Sequence, residues 1–139
     1  MFSEKKVLWL IYTVLFGMVP IFMRLLASGL VNGGKIPWIT ASDVISLGIV
    51  LHISLLAEIR YNDTEEAVWK KQVVGLSVLA VVFYAVMYVF SLLAEVYKDI
   101  DSLFVLLTSI GMVVGSFAMC WAVYDRLTYA PGQKDEVAA

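Results

Sequence analysis

The chain has one cysteine, one histidine and few charges: only 16% of its 139 residues are Asp, Glu, Lys or Arg. A lone thiol makes no intrachain disulfide, and it lacks the spacing of a redox pair or a zinc site. Cys120 stands in an apolar run and reads as a small buried side chain. One imidazole, His52, is no metal site either. Basic residues run no longer than the pairs Lys5-Lys6 and Lys70-Lys71, and the net charge is −2. That excludes the basic surface nucleic acid requires. HExxH, GxSxG, CxxC and phosphate-cradling glycine loops are all missing. The expectation is a non-enzymatic chain with no cofactor, no metal and no directly bound nucleic acid.

What is present is apolar. Hydrophobic residues make up 61% of the chain, and the mean hydropathy is +0.86. Soluble chains are roughly 45–50% apolar and 25% charged. A domain this small cannot hide so much apolar surface from water, whereas lipid tails are as apolar as the side chains. The expected partner is the bilayer.

Four segments are long enough to cross it. A helix rising 1.5 Å per residue needs about 20 residues to span a core of roughly 30 Å. The first segment runs from about 7 to 31, contains Pro20, which should kink it, and stops at Asn32-Gly33-Gly34. Lys5-Lys6, the apolar run and Ala27-Ser28-Gly29 also resemble a cleavable signal peptide; a retained helix is the preferred reading. The second segment, about 42 to 59, is the weakest: its uncharged run, Val44 to Ala57, is short and contains His52. Thr40 and Asp43 have capping-box spacing at its start. The third is read as one long helix from about Thr64 to Tyr97 that stands proud of the membrane. The fourth, about 102 to 127, is capped by Asp101 or Ser102. Residues 128–139, with Pro131-Gly132, read as a flexible tail behind a tetraspan domain of residues 1–127.

Charge sorting sets the orientation. Lys5, Lys6, Arg60, Lys70, Lys71, Arg126 and Lys134 fall on one side; Arg24, Lys35 and Lys98 fall on or near the other. The positive-inside rule then places both termini and the loop between segments two and three in the cytoplasm of an inner-membrane protein. Trp9, Tyr12, Tyr61, Trp69, Trp121 and Tyr124 read as the cytoplasmic aromatic belt, and Trp38 and Tyr97 as the opposite one. The fold class expected is an all-α four-helix transmembrane bundle, N-in and C-in, with its third helix extending into the cytoplasm.

Polar residues at membrane depth are the first candidate site. Arg24 lies roughly 25 Å along the first segment by helical rise. It can snorkel to the headgroups, or form an ion pair with Asp43 or Glu95, which lie at a similar level. His52 and Tyr84 share a depth nearer the middle, where a hydrogen bond between them would spare an isolated polar group. On the fourth segment Gly111 and Gly115 form a GxxxG motif, which Thr108, Ala118 and Ala122 extend into a small-residue face for packing or oligomerisation. Asp63, Glu65, Glu66, Trp69, Lys70 and Lys71 form a cytoplasmic face for a soluble partner. The scattered methionines read as packing residues.

By architecture alone, without a shared residue motif, the chain resembles small bacterial tetraspan proteins: membrane subunits of phage-defence systems such as Kiwa, phage-exclusion proteins and colicin immunity proteins. That likeness implies a self-assembling sensor or scaffold in envelope stress or antiviral defence. The alternative is an oligomeric channel or transporter using Arg24, His52 and Glu95.

Overall fold

The computed structural model of the protein describes residues 4–31, 33–34, 36–61 and 68–129. Those residues form four helices and no strand: α1 (Glu4–Leu30), α2 (Ala41–Tyr61), α3 (Val68–Val96) and α4 (Ser102–Tyr129). All four are long and apolar enough to cross a membrane. The boundaries agree with the sequence reading to within a few residues. Helix α1 starts earlier, at Glu4, and continues through Pro20 to Leu30. Gly33 and Gly34 follow at φ 123° and 62°, backbone that side chains resist, so the chain turns there. Helix α4 runs on to Tyr129, two residues into the expected tail. The start of the third helix at Thr64 and the rest of the tail lie outside the described residues.

Caps fix two of the starts. Asp101 Oδ1 accepts the amides of Leu103 (2.9 Å) and Phe104 (3.3 Å), so Asp101, not Ser102, caps α4. At α2 the Thr40 amide donates to Asp43 Oδ2 (3.4 Å), one half of a capping box. The Thr40 hydroxyl donates to the same oxygen (2.8 Å).

Packing departs from what hydropathy suggests. Helix α2, the least apolar span with a mean hydropathy of 1.7 against 2.0, 2.5 and 2.2, is the hub. It packs against all three other helices, whereas α1 meets α4 only briefly and does not reach α3. Of its most apolar window 44% is buried, against 11%, 11% and 17% for the others. The cause is the solvent. A helix packed on three sides by protein has less lipid to satisfy and tolerates Ser, Gly and His, whereas α1, α3 and α4 turn Phe16, Phe83, Phe104 and Val114 outward.

Helix α3 shows the inversion most clearly. Its buried residues are Ser77, Tyr84 and Ser91, one every seven residues. That period is the seam of a left-handed helix pair. Small serines let α3 approach closely, and the large Tyr84 ring lies on Gly48 of α2, where a Cβ would collide with its Cζ and Cε1 atoms. On the α1 side, Gly17 sits against Leu47 in the same way.

Two apolar clusters flank the middle. One gathers Trp9, Leu51, Leu55, Ile59, Cys120, Val123 and Tyr124; the other gathers Ala41, Ile45, Tyr84 and Val105. Trp9 and Tyr124 stack with ring centroids 4.7 Å apart, and both are buried. They therefore do not belong to the aromatic belt expected of them, whereas Tyr12, Tyr61, Trp38 and Tyr97 are exposed. Met87, Met112 and Met119 pack on the clusters, but Met23 faces outward.

Candidate functional site

The polar groups of the bundle fall into three tiers. In the first, towards the start of α1, the Trp9 indole N–H donates to Ser54 Oγ (2.8 Å), and Thr13 Oγ1 lies 2.7 Å from the same oxygen. This ties α1 to α2.

The second tier is central and joins three helices. His52 Nε2 on α2 is 2.9 Å from Ser116 Oγ on α4, and the Tyr84 hydroxyl on α3 is 2.8 Å from that same oxygen. His52 and Tyr84 are essentially inaccessible. Their expected direct hydrogen bond is not made; the rings stand 5.9 Å apart at 49°, and Ser116 bridges them. A serine hydroxyl accepts and donates at once, so it joins two partners that cannot both reach each other. Sequence reasoning missed Ser116, although a signal was there: Ser109 and Ser116 repeat at seven residues on α4, as Ser77, Tyr84 and Ser91 do on α3. Two buried atoms, His52 Nδ1 and Ser77 Oγ, have no hydrogen-bond partner among the described residues. Cys120 is buried nearby, its thiol directed at the Leu51 carbonyl (3.8 Å).

The third tier lies at the opposite end from Trp9. Arg24 Nε donates to Asp43 Oδ2, forming an ion pair between α1 and α2. Of the arrangements open to Arg24, this is the one adopted. Glu95 is exposed and takes no part in it. The residues proposed for conduction are therefore not brought together. Asp43 precedes His52 by nine residues, roughly 13 Å of helix, and Glu95 follows Tyr84 by eleven, roughly 16 Å. Among the described residues no group of three or more His, Cys, Asp or Glu side chains is placed to hold a metal.

The small-residue face of α4 is a fourth feature. Gly111 and Gly115 have nothing within 4 Å of where a Cβ would stand. Gly111, Gly115 and Ala118 are exposed and Thr108 is half-buried. Helix α4 meets the bundle instead through Val105, Ser109, Cys120, Val123 and Tyr124. Among the described residues nothing therefore packs on the Cβ positions of the glycine pair. Among the cytoplasmic-face candidates, Trp69 lies under the Arg126 guanidinium at 4.7 Å and Lys70 and Lys71 follow it on α3; Asp63, Glu65 and Glu66 lie outside the described residues.

No protein family, curated protein or solved structure matches this chain.

The geometry makes the central trio a cross-tie. Its three members belong to three helices, so it links helices across the bundle rather than along the bundle axis. Ser116→Ala should cost about 1–2 kcal/mol, since two interhelical hydrogen bonds in a membrane are worth about 0.6 each on average and up to 1.7. The same change in a His52→Leu, Tyr84→Phe background should cost less than half as much, because no polar group is then orphaned. Unfolding in mixed dodecyl maltoside and dodecyl sulfate micelles, followed by tryptophan fluorescence, measures both. Equal losses in the two backgrounds would remove the cross-tie.

Proposed function

We propose that the chain is a non-enzymatic membrane subunit that self-associates in a bacterial inner membrane, with both termini cytoplasmic. In this reading it is a sensor or scaffold for a soluble cytoplasmic partner, as in the phage-defence and envelope-stress tetraspans whose architecture it resembles. The observation that carries self-association is the uncovered face of Gly111, Gly115 and Ala118 on α4. Apolar burial supplies no force between helices already in lipid; close backbone approach does, and a glycine pair one turn apart permits it. A second copy is the occupant this face fits. The orientation rests on the sorting of seven basic residues against three. In that orientation Trp69, Lys70 and Lys71 face the cytoplasm, with Asp63, Glu65 and Glu66 preceding them in sequence.

The separation of His52 from Arg24 and Glu95 and the transverse lie of the central trio favour this reading over a channel. Proteoliposomes of the wild-type protein are accordingly expected to show no ion flux that His52→Ala abolishes.

The test of assembly uses the single cysteine. In a Cys120→Ala background, Ala118→Cys should crosslink to a covalent dimer on oxidation in native membranes. Phe83→Cys on α3, also at an exposed position, should not. Adding Gly115→Leu should abolish the crosslink while leaving the monomer folded. An alkaline phosphatase reporter fused to either end should stay inactive, as expected of a cytoplasmic terminus. A strict monomer, or an active reporter at one end, would overturn the corresponding half of the proposal.

A further inference from the structure

At the Arg24–Asp43 end, a cleft of about 320 Å³ opens between the start of α2, the last turns of α3 and the first turn of α4. Sites that hold small molecules run from roughly 300 to 1,000 Å³. Its wall is largely apolar, with Ile39, Leu103 and Leu106, beside the hydroxyl residues Ser91 and Ser102. Among the described residues Glu95 is the one charged side chain on this wall, and it makes no ion pair or hydrogen bond with any of them.

Two helix N-termini adjoin the cleft, an arrangement that ordinarily favours an anion. Both are already taken by the protein's own carboxylates. Asp101 accepts the first free amides of α4, and Asp43 accepts the Thr40 amide and hydroxyl at α2. A helix N-terminus carries about half an elementary positive charge, so a full carboxylate there leaves negative charge in excess. Arg24 offsets that excess at Asp43. At Glu95 and Asp101 no ion pair does so among the described residues. An apolar wall that carries the Glu95 carboxylate selects for positive charge carried on an apolar body.

We propose that this cleft binds an amphiphilic organic cation, an alkylammonium whose head sits at Glu95 and whose chain lies along Leu103 and Leu106 into the apolar layer. The site is separate from the α4 glycine face and does not depend on self-association. The probe is dodecyltrimethylammonium, titrated calorimetrically into the protein in dodecyl maltoside micelles. Saturable binding at one site per chain is expected, weakened about tenfold by Glu95→Gln, a loss within reach of one charge pair at a partly apolar surface. Leu106→Trp, which fills the cleft without touching Glu95's charge, should weaken it as well. Dodecyl sulfate, with the same tail and the opposite charge, should not saturate, and neither should tetramethylammonium, the head without the tail. Unaltered affinity in Glu95→Gln, saturable binding of the sulfate, or tetramethylammonium binding as tightly as the long-chain cation would each overturn the proposal. Glu95 is exposed, so Glu95→Gln should unfold as wild type does, and the affinity comparison stays clean.

Discussion

Gly48→Ala is expected to destabilise the bundle by about 2–3 kcal/mol, the upper part of the range for forcing added volume into a packed core. Elsewhere in a helix, replacing Gly with Ala is neutral or gains up to about 1 kcal/mol. Here the new methyl collides with the Cζ and Cε1 atoms of Tyr84. That ring is wholly buried. Its hydroxyl is also committed to Ser116, so tilting away breaks a hydrogen bond. Two comparisons make the result specific. Gly111→Ala and Gly115→Ala, where nothing lies within 4 Å, should leave monomer unfolding within about 0.5 kcal/mol of wild type or slightly raise stability. Gly48→Ala combined with Tyr84→Leu should recover part of the loss, a coupling only neighbours show. Unfolding in mixed micelles reads all of these. If Gly48→Ala matches Gly111→Ala, Tyr84 does not rest on Gly48. The same variants separate fold from assembly: Gly48→Ala weakens the monomer, whereas substitutions at Gly111 and Gly115 act on the crosslinked dimer.

These contrasts show which parts of the molecule its sequence displays. The four spans are legible because lipid demands uninterrupted apolar runs, and because Asp43, Asp101 and Gly33-Gly34 punctuate them with caps and a turn. The hierarchy among the spans is not. Hydropathy reports how much of a helix faces lipid, so a central helix scores low, and α2, read as the doubtful span, is the one that every other helix touches. Interior contacts hide for the same reason: inside a membrane bundle the packing residues are small or polar. Ser77, Ser91, Ser109 and Ser116 carry the seams, whereas the conspicuous glycine pair of α4 lies more than a third of a turn away. Searching α3 and α4 for small residues at a seven-residue period, rather than for GxxxG, would have found the faces that meet α2. The Arg24–Asp43 pair was within reach by depth alone. The stack of Trp9 on Tyr124 was not, because an aromatic near a span's end looks the same whether it lies at the headgroups or turns inward.

Arg24→Leu should cost about 2–3 kcal/mol, less than the 3–5 seen when a fully buried pair loses one partner. Arg24 is 28% exposed, so its surroundings screen part of the pair. The larger burden falls on Asp43, whose side chain is only 9% exposed and would be left charged without its counterion. Removing the other partner has a different consequence, because Asp43 has two duties. It pairs with Arg24 and it holds the Thr40 amide and hydroxyl at the start of α2. Asp43→Asn keeps a side-chain oxygen for the cap and relieves Arg24, which can extend to the headgroups. The double variant Arg24→Leu, Asp43→Asn should therefore be more stable than Arg24→Leu alone. Exchanging the charges, Arg24→Asp with Asp43→Arg, should not restore wild-type stability, although it rebuilds an ion pair. Arginine at the first turn of α2 opposes the helix dipole and offers Thr40 no acceptor. A simple Coulomb pair would survive the exchange; a pair whose acid also caps a helix does not. Full recovery on exchange would reduce the contact to charge alone. Wild-type unfolding of Arg24→Leu would mean that the guanidinium contributes nothing there.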